Sequence, residues 1–74
     1  MALNPLTFAA SSHVQTASYD EETRELVVEF RGGAVYRYHD VPGGIVADLQ
    51  QALSSGQFFL QNIRNAGYRY ERIS

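Results

Sequence analysis

The chain changes period near its middle. Between His13 and Val41 apolar and polar residues tend to alternate, as in half-buried strands, whereas from Ile45 apolar residues recur at helical spacing. His13 to Tyr19 reads as a first strand and Arg24 to Arg31 as the clearest one. In the second, Leu26, Val28 and Phe30 share a face, opposite Glu25, Val27, Glu29 and Arg31. Asp20-Glu21-Glu22-Thr23 reads as the intervening turn, because Asp favours the first turn position and Thr can bond the backbone locally. Gly32-Gly33 marks a hairpin, Ala34 to Val41 is the returning strand, and Pro42 ends it.

The hairpin register follows from the side chains. A two-residue Gly32-Gly33 loop pairs Phe30 with Val35 and Val28 with Arg37, which puts an arginine on the apolar face. A three-residue loop, Arg31-Gly32-Gly33, pairs Phe30 with Ala34, Val28 with Tyr36 and Leu26 with Tyr38. One face is then apolar and aromatic throughout, so this register is preferred, with Gly33 left-handed. It predicts Tyr36 and Tyr38 at least half-buried, with Val27, Glu29, Val35, Arg37 and His39 on the outer face.

Beyond Gly43-Gly44, Ile45, Val46, Leu49, Ala52 and Leu53 form one helical stripe, with Asp48, Gln50 and Gln51 turned outward. Ser54 followed by Gln57 is a capping-box pattern for a second helix. Phe59, Ile63 and Ala66 lie on one side of that helix, and Gly67 suits the left-handed position after its last turn. Tyr68 to Ile73 alternates and predicts a short extended segment. The fold class is therefore α+β: a small antiparallel sheet of three to four strands, a β-meander, covered on one face by two C-terminal helices. Ile45, Val46, Leu49, Leu53, Phe59 and Ile63 are expected to pack on Leu26, Val28, Phe30, Tyr36 and Tyr38. Residues 1–11 read as a flexible N-terminal arm, whose Leu3, Leu6 and Phe8 are available for docking, and residues 12–74 as a single domain.

Composition narrows the chemistry. With no cysteine there is neither a disulfide framework nor a thiolate metal site, in keeping with a reducing compartment, and a cytoplasmic location is expected by default. No apolar run approaches the ~20 residues needed to span a bilayer, so no membrane partner is expected. The net charge of −2, with six arginines and no lysine, excludes a general basic field. The charges are nevertheless segregated. Asp20, Glu21, Glu22, Glu25 and Glu29 crowd one stretch, whereas Arg64, Arg69 and Arg72 face a single acid, Glu71, at the other end.

Ser12, Tyr19-Asp20, Leu26 through Phe30, Gly33, and Tyr36-x-Tyr38 with Val41-Pro42 form the first half of an ordered series. Ser55-Gly56, Phe59, Ile63-Arg64 and Tyr68-x-Tyr70-Glu71-Arg72-Ile73 form the second. At these spacings, over about residues 11–73, the chain resembles the KTSC domain, named for its occurrence at the C-terminus of some lysyl-tRNA synthetases. The resemblance implies a domain of no established activity, for which the synthetase context suggests RNA binding. The acidic balance and the lack of lysine cut against that suggestion.

Nothing in the sequence points to catalysis, to a cofactor or to a metal site. There is no phosphate-binding glycine loop, no nucleophile elbow and no His or Cys spacing for a metal. His39 and Asp40 are adjacent, so on a strand they point to opposite faces and form no dyad. The expected role is that of a small non-catalytic binding module, for a protein partner or for self-association. The alternative is RNA, held by arginine and tyrosine contacts. The register favours Tyr36 and Tyr38 as core under the helices, although the sequence leaves open whether they also contact a ligand, and the candidate contact residues are Arg37, His39, Arg64, Arg69, Tyr70 and Arg72.

Overall fold

The computed structural model describes residues 3–7, 13–53 and 55–74. The docking of Phe8, the family-like Ser12 and the Ser54 cap lie outside these residues. Chain order runs β1 (Asn4–Pro5), β2 (Val14–Asp20), β3 (Glu25–Phe30), β4 (Val35–Tyr38), α1 (Gly43–Gln51), α2 (Ser55–Asn62), a 3-10 turn (Arg64–Ala66) and β5 (Tyr70–Arg72). The strands form one sheet in the order β1-β2-β3-β4-β5, and every neighbouring pair is antiparallel.

Local chemistry sets the turns. Asp20 Oδ1 accepts the backbone N–H groups of Glu22 and Thr23 at 2.9 and 3.3 Å, which closes the turn between β2 and β3. The next hairpin has the three-residue loop: Leu26 pairs with Tyr38 and Val28 with Tyr36, and the Phe30 N–H donates to the Ala34 carbonyl at 2.8 Å. Gly33, at φ 100°, takes the left-handed conformation that this loop requires. Gly67, at φ 91°, does the same beyond the 3-10 turn.

The helices lie over one face of the sheet. Leu26, Val28, Val41, Phe59 and Ile63 are wholly buried there, with Tyr38, Val46 and Leu49 nearly so. Tyr19 is buried too, and its hydroxyl donates to the Val41 carbonyl at 2.6 Å, so the polar tip is satisfied inside the core. Burial raises its pKa above the ordinary 10.0.

The α+β architecture is as expected, an antiparallel meander under two helices, with five strands among the described residues, slightly more than the three to four expected. Three finer expectations are corrected. Residues 4–5 of the supposed arm form β1 at one edge, paired with Tyr19 and Ser18, and Leu6 packs against the core with its N–H on the Ala17 carbonyl. Leu53, expected in the core, is fully exposed. The apolar stripe continues past Gln51, but the helix does not: Ala52 is extended at φ −67°, ψ 138°, which swings Leu53 off the buried side. Ala66, expected on the buried side of the second helix, is exposed, because α2 stops at Asn62 and the 3-10 turn changes the period.

Candidate functional site

The candidate residues divide between the two faces of the sheet. Tyr38 stands opposite Tyr70 and Tyr36 opposite Arg72, so these four share the helix-covered face. Arg37 stands opposite Glu71 on the outer face. There Glu71 Oε1 lies 3.6 Å from the Arg37 guanidinium and 3.0 Å from His39 Nε2, while His39 Nδ1 lies 3.6 Å from Glu25. The cluster ties β3, β4 and β5 together. Pairs as exposed as these stabilise by about 1 kcal/mol at most, so the cluster's main effect is to occupy the groups. Arg37 and His39 thus face carboxylates within the molecule, although the buried Arg37 Nε has no hydrogen-bond partner among the described residues.

On the helix-covered face the cover stops short of β5. Phe30, Ala34, Tyr36, Tyr38, Tyr70 and Arg64 line a cleft of about 240 Å³. Tyr38 is buried at its base, Tyr36 is half-buried, and Tyr70 is 56% exposed. The rings form a continuous wall. Phe30 meets Tyr36 edge-on at 5.5 Å, and Tyr70 lies 5.8 Å from Tyr36 and 5.5 Å from Tyr38. Phe59 braces this wall from the core, edge-on to both Phe30 and Tyr38.

Arg64 reaches the cleft from the 3-10 turn. It forms no ion pair among the described residues. The one acid of its segment, Glu71, is held on the opposite face, so no carboxylate among the described residues neutralises the guanidinium at the cleft. Its field also reaches Tyr38. Burial pushes the Tyr38 hydroxyl above the ordinary 10.0, Arg64 opposes that rise, and the neighbouring Tyr70 and Tyr36 add to it. Arg72 lies beyond Tyr70 on the same face, with Nε donating to the Ser74 main-chain oxygen at 2.9 Å. The Arg69 side chain is exposed, and its carbonyl accepts the His39 N–H.

Of the six candidates, the structure brings Arg64 and Tyr70 together and carries Arg37 and His39 to the other side. Phe30, Ala34, Tyr36 and Tyr38 also line the cleft, although the sequence favoured the core for the two tyrosines and left their contact with a ligand open. The signal for their second role is the shared alternation of Tyr36-x-Tyr38 and Tyr70-x-Arg72. It becomes readable only once β5 is known to lie beside β4. Tyr36-Arg37-Tyr38 and Tyr68-Arg69-Tyr70 share the sequence Tyr-Arg-Tyr but are offset by two residues across the antiparallel pair, since Tyr36 faces Arg72 and Tyr38 faces Tyr70.

Fold and cleft together define a small α+β domain, an open meander under two helices with an arginine-bearing aromatic cleft at one edge. The chain belongs to the KTSC domain family, whose model matches residues 10–70. An uncharacterized protein of Stutzerimonas stutzeri is 44% identical over 63 residues, which span 85% of this chain and 89% of that protein. A lysine–tRNA ligase of Nostoc punctiforme is 36% identical over 70 residues, which span 95% of this chain but only 12% of the ligase. The crystal structure of a KTSC domain protein from Yersinia pestis superposes with a TM-score of 0.84 at 26% identity, over 99% of this chain and 100% of that one. The family description names no reaction.

Proposed function

We propose that this domain is a non-catalytic module that binds single-stranded RNA through the aromatic cleft. One observation carries the reading: four aromatic rings and an arginine without an ion pair among the described residues line one open cavity. Aromatic platforms with guanidinium groups beside them suit unpaired bases, which present a flat face, and the phosphates between them. The similarity to a segment of lysine–tRNA ligases supports the same direction, since those enzymes are named for an RNA substrate. A cytoplasmic setting belongs to the proposal. A protein partner on the outer face has less to engage, because Arg37, His39, Glu25 and Glu71 already bind one another.

Fluorescence anisotropy with a labelled single-stranded RNA, titrated at several salt concentrations, tests this. Binding at low salt should weaken as salt rises, with log K falling by roughly 0.7 per log unit of salt for each phosphate neutralised. No binding at low salt, together with capture of a protein that buries the outer face, would replace RNA by a protein ligand.

A further inference from the structure

We infer that the cleft is a single-nucleotide site. It takes one unpaired base together with its phosphate, either as a free nucleoside monophosphate or as one unpaired residue of an RNA chain. This inference deepens the RNA reading and rests on it for the second source only. Size comes first. A cavity of about 240 Å³ falls below the ~300–1,000 Å³ of sites for drug-sized ligands, so it admits one ring system and not a stacked run.

Charge then selects the ring's substituent. Aromatic faces alone attract cations, as in cages for quaternary ammonium groups. Here Arg64 sets a positive charge among Tyr36, Tyr38 and Tyr70, so a cationic ligand is repelled. A bare phosphate would answer Arg64 but leave the rings uncovered, and a neutral ring would cover the rings but leave the guanidinium unanswered. A planar group that carries an anion satisfies both, and a nucleotide is that combination. Pairing state follows as well. A base within a duplex is stacked on both sides and cannot reach the Tyr70 ring, so the site selects unpaired residues.

Proton NMR of the tyrosine rings in the full chain tests this, with AMP, adenosine, ribose 5-phosphate, a single-stranded oligoadenylate and an RNA duplex as probes. AMP should move the Tyr36 and Tyr70 ring signals. Adenosine and ribose 5-phosphate should each bind about tenfold more weakly, and the duplex should leave the rings unmoved. Arg64→Ala, at an exposed position, should abolish the advantage of AMP over adenosine. Equal binding of AMP and ribose 5-phosphate would overturn the inference. So would oligoadenylate binding that leaves the ring signals unmoved, and in that case the RNA reading would survive. If AMP docks in the cleft and no oligomer binds, the single-nucleotide site stands and the RNA reading falls.

Discussion

Phe59 joins the core to the cleft, and truncating it tests both. The side chain is wholly buried, and its ring meets Phe30 at 5.3 Å and Tyr38 at 5.5 Å, each edge-on. Phe59→Ala removes the ring and leaves a cavity, at a cost of about 3–5 kcal/mol. The two edge contacts, each worth about 0.5–1.5 kcal/mol beyond buried area, place the loss in the upper half of that range. A 74-residue chain has a total stability of about 4–11 kcal/mol, and a domain this small sits toward the low end. The variant is therefore expected to be barely folded. Urea denaturation followed by circular dichroism measures the change. With a slope of about 1 kcal/mol per molar urea, the midpoint should fall by about 4 M or more. Phe59→Leu keeps most of the volume but neither ring contact, so it should fall between the parent and the alanine variant. A midpoint for Phe59→Ala within about 1 M of the parent would refute the packing scheme, and with it the bracing of Phe30 and Tyr38 in the cleft wall.

Two further outcomes are expected. Leu53→Ser should change stability by no more than about 0.5 kcal/mol, because the side chain is fully exposed, and a larger loss in the same urea titration would return Leu53 to the core. Burial raises the pKa of Tyr19 and Tyr38 above 10.0, so the folded state holds these protons more tightly than the unfolded chain does. The stabilisation is complete below about pH 10 and is lost as pH rises through the raised values. Melting temperature should fall across that alkaline range and fall less for Tyr38→Phe. A melting temperature that stays level while these tyrosines ionise would contradict the burial of their hydroxyls.

Much of the fold was legible because one wrong step would have been costly. A one-residue slip at the Gly32-Gly33 hairpin buries Arg37, so polarity alone selects the register that is observed. Phe59 and Ile63 were legible for a similar reason, since they recur at helical spacing on one side of the second predicted helix. The misses share a cause as well. Asn4-Pro5 has no alternation to announce a strand, and its place beside Tyr19 is fixed only by β2 in the folded sheet. The stripe through Leu53 is sound as a pattern, but it does not register where the backbone leaves the helix. The cleft depends on β5 returning beside β4 across two helices. Only that contact puts Tyr70 among Tyr36 and Tyr38, and only that contact sends Glu71 to Arg37 and His39, leaving Arg64 without an ion pair among the described residues. Sequence spacing therefore found Arg64 and Tyr70 as candidates but had no means to separate them from Arg37 and His39.

That separation of faces is also the most direct test of RNA binding through the cleft. The affinity of a short single-stranded RNA is to be compared for two double variants, Tyr70→Ala with Arg64→Ala, and Arg37→Ala with His39→Ala. The cleft pair should weaken binding about 10- to 100-fold, through lost stacking and phosphate contact. The outer-face pair, whose groups already bind Glu71 and Glu25, should change it by less than about threefold. Intact binding in the cleft variant, with loss in the outer-face variant, would place the ligand on the opposite side of the sheet and contradict the account.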